Sequence, residues 1–510
     1  MILKRVSLGI LLSLLMFSSC GQKVPDIAAP HSVSRPEPIP GSEAGSRYNR
    51  DESSIRAFVQ LIDTRIEQWM KAYSIPGVAV ALIEKGQPVW LSVRGYANKE
   101  KKVPLTQFTP CRVESISKSV TAWGVLKLVE EGKISLDTPV QQYLKSIQLP
   151  NSGFPLEKIT VRHLLSHTAG LFLGTIGVRY APDGPVPSLR EALQKDLVFE
   201  REAGTRFSYS NVGFNLLELL IEDITGKKFS QYMQEQVLTP LGMHRASFEW
   251  NSQWDPPVPQ GYTVSGVSIP PYVYPEKAAG GLFATLEDIA RFVSAGSMVS
   301  NTDGQMVLKA ETKALLYTPV VTIPGLYGLA FPSYGMGHFI EKFADGTVAV
   351  SHGGQGSGWM SHFHLVPETG DGIVILTNSQ RSWPFFARVL QEWAKWKGYS
   401  RPGMSRIIQG ENILWVITGG IFLLGGILGF ILFRGLLRKE RHFHPLTSNS
   451  LGVRLGLGSI ALTILILLGW AITRDYLFLS SVFPRIVPVL GMGLGLLSIG
   501  LLGIVVCPRR

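Results

Sequence analysis

Ile55, Phe58, Val59, Ile62, Ile66 and Met70 recur at helical spacing, and this predicts an amphipathic helix with its N-cap among Asp51 to Ser54. The period then shortens. GVAVALIEKGQPVWLSVRGYA reads as two strands turning at Lys85-Gly86-Gln87, and SHFHLVPETGDGIVILTN reads as two more around a glycine-containing turn. From Phe385 to Lys397 the period is helical again. Strands near both ends of this stretch, with a long helical middle, predict an antiparallel sheet covered by helices plus an inserted helical region.

Beyond residue 412 the alternation gives way to three continuous apolar spans, Ile413 to Phe433, Leu455 to Ile472 and Ile486 to Val506. At a rise of about 1.5 Å per residue each is long enough for a transmembrane helix. Arg434, Arg438, Lys439, Arg441 and Arg454 lie between the first two, and Arg509-Arg510 follow the third. The positive-inside rule therefore puts that loop and the tail in the cytoplasm and the preceding domain outside. Gly425-x-x-x-Gly429 and Gly491-x-x-x-Gly495 are candidate close-packing positions, although glycine is common in membrane helices in any case.

At the other end, Lys4 and Arg5 precede a short apolar run from Val6 to Phe17, too short to span a bilayer and typical of a secretory signal over residues 1–20. The following Ser18-Ser19-Cys20-Gly21 resembles the lipobox of bacterial lipoproteins, which implies lipidation at Cys20; the alternative is an ordinary cleaved signal. Residues 21–50, rich in Pro, Ser and Gly, form a tether. Residues 51–400 are left as one globular domain.

Composition changes the picture only by exclusion. The 510-residue chain is 45% hydrophobic and 17% charged, with the apolar excess concentrated in the terminal segments. A formal charge of +11 could suggest nucleic acid, but no Lys/Arg run or groove-directed motif accompanies it, so no nucleic-acid partner is expected. Of three cysteines, Cys20 and Cys507 belong to the terminal segments, which leaves Cys111 with no disulfide partner in the domain and reading as a small buried hydrophobe.

Candidate chemistry begins at VESISKSVTAW. Helical periodicity runs from Ser115 through Val120, Trp123, Leu126 and Val129 to a stop at Gly132, so Ser115 sits near a helix N-terminus with Lys118 one turn on. A serine hydroxyl is a poor nucleophile until a base takes its proton, and a buried lysine can be that base. Tyr209-Ser210-Asn211 follow 94 residues after Ser115, and His352-Gly353-Gly354-Gln355 begin 143 residues after Tyr209. His163 and His167 are four apart, but Leu164 stands where a zinc helix needs glutamate and no third ligand is in view, and His362 and His364 share a strand face. No metal or cofactor is expected.

These three motifs, in this order, resemble the serine β-lactamase and penicillin-binding-protein-like superfamily, in particular its class C branch of β-lactamases, D-alanyl-D-alanine carboxypeptidases and esterases. ITVRHLLSHTAGL, ITGKKFSQYMQEQVLTPLGM and AAGGLFATLEDIARF extend the likeness over about residues 54 to 398. The resemblance implies a β-lactamase/transpeptidase-like α/β (α+β) fold, with an all-helical subdomain roughly between residues 130 and 280. It makes Ser115 the acylated nucleophile, with Lys118 and Tyr209 as its proton-handling partners. Asn211 would hold Lys118 and the substrate amide, and the backbone N–H groups of Ser115 and Gln355 would form the oxyanion hole. His352 stands where many members have the lysine of Lys-Thr-Gly, and should offer one donor to a substrate without a permanent charge. Peptidase or esterase action on D-amino-acid peptides of cell-wall type or on small esters is therefore expected ahead of β-lactam hydrolysis. The expected location is a bacterial cytoplasmic membrane, with the domain on the extracytoplasmic face. A sensor binding a wall fragment or ligand in the same cleft is the rival from another class.

Overall fold

The computed structural model describes residues 52–175, 178–299, 307–443, 451–474 and 477–508. The signal segment, Cys20 and the tether lie outside these residues. Helix α1 (Glu52–Tyr73) leads into β1 (Gly77–Glu84) and β2 (Gln87–Asn98). Lys85 and Gly86 both take positive φ, 50° and 74°, the two-residue turn that matches the twist of a tight hairpin. Short strands β3 (Val103–Pro104) and β4 (Cys111–Arg112) precede α2 (Ile116–Glu130).

The inserted region carries α3 (Val161–Leu165), α4 (Leu189–Asp196), α5 (Asn211–Thr225) and α6 (Phe229–Met233), then the two-residue strands β5 (Gly261–Tyr262), β6 (Ser268–Ile269) and β7 (Phe283–Ala284). It is not all-helical as expected. Pro150, Pro155, Pro182, Pro185, Pro187, Pro256, Pro257 and Pro259 break the pattern, because proline lacks the amide that a helix or ladder needs.

The chain continues through α7 (Leu286–Ala295), α8 (Ala310–Leu316), β8 (Val321–Thr322), α9 (Gly325–Ala330) and β9 (Ser333–Tyr334). It then lays down β10 (Phe339–Lys342), β11 (Val348–Gln355), β12 (Met360–Val366), β13 (Asp371–Thr377) and helix α10 (Trp383–Lys397). The main sheet has the order β3-β2-β1-β13-β12-β11-β10-β9-β8 and its paired strands are antiparallel, with β1 joined to β13 by a register that opposes Val80 to Ile375. Both faces are covered. Val78, Val80 and Leu82 pack with Phe58, Ile62, Phe385 and Trp393 under α1 and α10, while Ala79, Ala81 and Ile83 belong to the core under α2 and α7. Burial on both sides explains why β1 is an unbroken apolar run rather than an alternating one.

Helix α2 is buried almost all round. Its hydroxyls are therefore placed on carbonyls: Ser117 Oγ donates to Glu114 O (2.6 Å), Ser119 Oγ to Gly337 O (2.6 Å) and Thr121 Oγ1 to Ala278 O (3.1 Å).

Among the described residues three helices are long and apolar enough to cross a membrane: α11 (Arg406–Leu437), α12 (Leu451–Ile472) and, after the short α13 (Phe478–Val482), α14 (Ile486–Val506). Helix α11 starts seven residues before the expected span. Its Glu411 is held in the domain by Tyr73 Oη (3.1 Å) and Arg388 Nη2 (2.7 Å). Arg454 lies inside α12 and its Nε donates to Val505 O (2.8 Å), while Arg441 Nη1 donates to Cys507 O (2.8 Å), two cations at the carbonyl end of α14. Gly425 meets Leu496 of α14, and Gly493 and Gly500 meet Phe422 and Leu428 of α11. Gly429 and Gly495 face open space, so the close approach uses other glycines than the two spaced pairs alone.

Candidate active site

The strand-to-helix turn at Ser115 is strained. Glu114 has φ 49°, a left-handed backbone that residues with a Cβ rarely adopt. Its carboxylate, 2% exposed, is fixed by Arg112 Nε (2.8 Å), Tyr272 Oη (2.9 Å) and Tyr274 Oη (3.1 Å). The Arg112 guanidinium in turn lies 4.2 Å from the Tyr272 ring centre and donates to Tyr272 O and Gly280 O. This buried charged knot over-determines the turn and delivers Ser115 as the N-cap residue of α2, in αR geometry and with its hydroxyl not used as a cap.

Lys118, on the same helix face, is fully buried with its Nζ 3.1 Å from Ser115 Oγ. The same nitrogen lies 2.8 Å from Asn211 Oδ1 and 2.7 Å from Ala279 O, both of which can only accept. Burial lowers the Lys118 pKa to about 7, against a smaller opposing pull from Glu114. A neutral amine has two N–H groups, and both are consumed by Asn211 and Ala279. Its lone pair is left for the Ser115 hydroxyl proton.

Tyr209 completes the group. Its ring centre is 5.0 Å from Lys118 Nζ, and burial, against a smaller opposing pull from neighbouring Ser115, raises its pKa so that it keeps its proton. The ring also packs against His167, centroids 4.2 Å apart. His167 Nδ1 accepts from Ser210 N–H (3.1 Å) and its carbonyl accepts from Ser208 N–H (2.7 Å), so this histidine holds the segment that carries Tyr209. Ser210 then caps α5 through Gly213 N–H (3.2 Å), which places Asn211 at the helix start.

The third element is the end of β11. Gly354 admits no side chain: a Cβ there would lie 2.1 Å from Val113 O and 2.3 Å from Ser361 Oγ. That approach brings Gln355 beside the Ser115 turn. Trp383 Nε1 donates to Gln355 Oε1 (2.9 Å) and Gln380 Nε2 to Gly356 O (2.9 Å), so α10 and the turn before it brace this strand end. Gly353 pairs with His362 across the ladder. His352 is fully buried and both ring nitrogens are engaged, Nδ1 with Gly353 O (2.8 Å) and Nε2 with Tyr334 Oη (3.0 Å). The expected free donor at this position is corrected: the ring supports the back of the site, and burial with nearby Lys118 holds it neutral.

Among the described residues no group of three or more His, Cys, Asp or Glu could hold a metal ion. His163 closes the capping box of α3 with Thr160, and His362 and His364 are buried and held neutral by desolvation. Burial raises the Cys111 thiol to about 12, which leaves it unreactive.

Several functional neighbours were not singled out from sequence. Glu114 carries no local signal beyond standing before Ser115. Glu218 accepts from Lys277 N–H (2.6 Å) and Ala278 N–H (2.8 Å) and so sets the Ala279 carbonyl on Lys118. The small-residue run AAGG beginning at Ala278 was the only visible signal of that approach.

A model of the Beta-lactamase family matches residues 62–394, well over half of the chain. The chain belongs to the beta-lactamase family. It is 24% identical over 326 residues to Protein flp of Staphylococcus aureus (strain MRSA252), covering 62% of each chain. It is 26% identical over 348 residues to Unguisins hydrolase ungD' of Aspergillus campestris, covering 64% of this chain and 62% of that one. The chain thus spans less than two thirds of the length of these curated relatives. Among solved structures, the octameric penicillin-binding protein homologue from Pyrococcus abyssi is 29% identical with a TM-score of 0.54, over 63% of this chain and 73% of that one. The Beta-Lactamase/D-Alanine Carboxypeptidase from Pseudomonas syringae shares the fold at 20% identity, TM-score 0.56, over 66% and 99%.

Proposed function

We propose that this beta-lactamase-family chain is a serine hydrolase that works through a covalent acyl-Ser115 ester. The observation that carries the reading is the fully buried Lys118 Nζ, 3.1 Å from Ser115 Oγ and 2.8 and 2.7 Å from two groups that can only accept; in the neutral amine those two take the N–H groups and the lone pair is left for Ser115. Ser115 Oγ attacks the substrate carbonyl carbon while its proton passes to Lys118 Nζ. The N–H groups of Ser115 and Gln355 receive the carbonyl oxygen as it becomes negative, each such donor being worth about 10²- to 10³-fold in rate. When the tetrahedral adduct collapses, the bond to the leaving heteroatom breaks and Tyr209, which burial keeps protonated, donates to it; Lys118 then returns the proton to Tyr209. Water or an amine resolves the ester by the reverse path.

Substrates of peptide or ester type fit better than β-lactams, because no ammonium stands at position 352 to hold a carboxylate. D-amino-acid peptides of cell-wall type are the first candidates in this reading and small esters the second. In this reading the N-terminal signal exports the domain, and α11, α12 and α14 hold it on the extracytoplasmic face of a bacterial cytoplasmic membrane. The test is labelling of the full chain by a fluorophosphonate and by a fluorescent penicillin. The wild type takes up the fluorophosphonate and Ser115→Ala does not; equal labelling of the two would overturn the reading.

A further inference from the structure

Two exposed apolar segments flank the site, and both belong to the junction with the membrane helices. Helix α9 buries none of its residues and exposes Leu326 (62%) and Leu329 (47%). It packs on the start of α11: Arg406 donates to Leu329 O, and a Cβ on Gly403 would lie 2.3 Å from Ala330 O. Helix α13, in the loop between α12 and α14, exposes Phe478 (42%) and Leu479 (50%) and buries Ser481 and Val482 against the domain.

From both segments the catalytic group is close. The Tyr327 ring of α9 meets Phe331 (5.1 Å) and Phe339 (5.9 Å), and Phe339 meets His352 (5.0 Å). The Phe478 ring meets Trp383 at 6.4 Å, and Trp383 holds Gln355 Oε1. Ser481 Oγ donates to the carbonyl of Gln380, whose amide holds Gly356. A continuous set of rings, Tyr209–His352 (6.4 Å), His352–Phe339 (5.0 Å), Phe339–Phe331 (4.5 Å) and Phe331–Trp383 (6.4 Å), fills the space between the two segments.

Exposed leucine and phenylalanine beside the first turns of membrane-length helices, with Arg401 and Arg406 exposed at the same junction, make the pattern of a surface that rests in a lipid interface, apolar tips down and cations at the headgroups. We propose that α9 and α13 seat the domain on the bilayer, so that the acyl donor taken by Ser115 is membrane-borne: an ester or amide carried on a lipid anchor. This rests on the acyl-serine reading above and gives its substrate class. The chemistry is unchanged, with the serine ester formed as the bond to the lipid-linked leaving group breaks and that group takes the proton.

The test uses the full chain in phosphatidylethanolamine–phosphatidylglycerol vesicles with two fluorogenic coumarin esters, one free in solution and one attached to phosphatidylethanolamine. Confinement to one surface should favour the tethered ester by roughly tenfold or more in kcat/KM, well inside what raised effective concentration can supply. Leu326→Asp with Leu329→Asp, and separately Leu479→Asp, should remove that preference and leave turnover of the free ester as it was. Equal kcat/KM for the two esters, or parallel loss of both in the aspartate variants, would overturn the lipid-borne substrate while leaving acyl-serine chemistry standing. Absence of turnover of either ester together with absence of fluorophosphonate labelling would instead remove the acyl-serine reading, and this inference with it.

Discussion

At the scale of single residues, the site depends on what is denied to two side chains. Lys118 is denied water, so its charged form is disfavoured, and it is denied free N–H groups by Asn211 and Ala279, so its lone pair has one direction left. Gly354 is denied a Cβ by Val113 O and Ser361 Oγ. Gly354→Ala should push β11 away from the Ser115 turn and displace the Gln355 amide, costing about 10²-fold or more in acylation rate, in line with loss of an oxyanion donor. The check is the fluorophosphonate labelling rate of a variant that keeps the far-ultraviolet circular dichroism of the wild type; an unchanged rate would remove Gln355 from the assignment. Ser115, Lys118, Tyr209, Asn211 and Gln355 were named through the family resemblance, whose short motifs they occupy. Glu114 and Glu218 were not, because they act on those motifs through the backbone of other segments and carry no local pattern, and His167 stood out only as half of a histidine pair. His352 was expected to present a free donor, but its partner Tyr334 comes from β9, two strands away in the sheet, and only the fold shows that its nitrogens are taken.

At the scale of elements, period was a sound guide where a segment has one buried face. Helix α1, the β1–β2 hairpin and the β12–β13 pair lie where alternation and helical spacing put them. It was a poor guide in the inserted region, where prolines interrupt helices and the chain is held by caps and side-chain hydrogen bonds instead. It also underestimated α11, because Arg406 and Glu411 look like a boundary to a hydropathy reading. Glu411 is 3% exposed and is held by Tyr73 and Arg388, so it continues the helix into the domain. Glu411→Ala would leave Arg388 with an unmatched charge at a partly buried position, a loss of order 2 kcal/mol, read as a Tm lower by a few degrees for the full chain in detergent. An unchanged Tm would show that the junction is not held by this pair.

At the scale of the whole molecule, a strained turn, a dehydrated lysine and a braced strand end come from three distant parts of the chain and are assembled by one sheet with helices on both faces. The membrane-length helices join that assembly through α10, so the site and the junction share Trp383 and Gln380. Sequence order revealed the parts and their family likeness, and it could not reveal this shared wall, since Phe478 and Trp383 are linked only by the fold. The central claim is that Lys118 is neutral and takes the Ser115 proton, and the most direct measurement is the second-order rate of fluorophosphonate acylation of the full chain against pH. With the Lys118 pKa lowered to about 7, protonation below that point removes the lone pair. The rate should therefore rise about tenfold per pH unit below roughly pH 7 and level off above it, the limb set by the free enzyme's base. In Lys118→Ala it should fall by about 10²-fold or more, the loss of a general base. A flat profile through this range, or a wild-type rate in Lys118→Ala, would contradict the account.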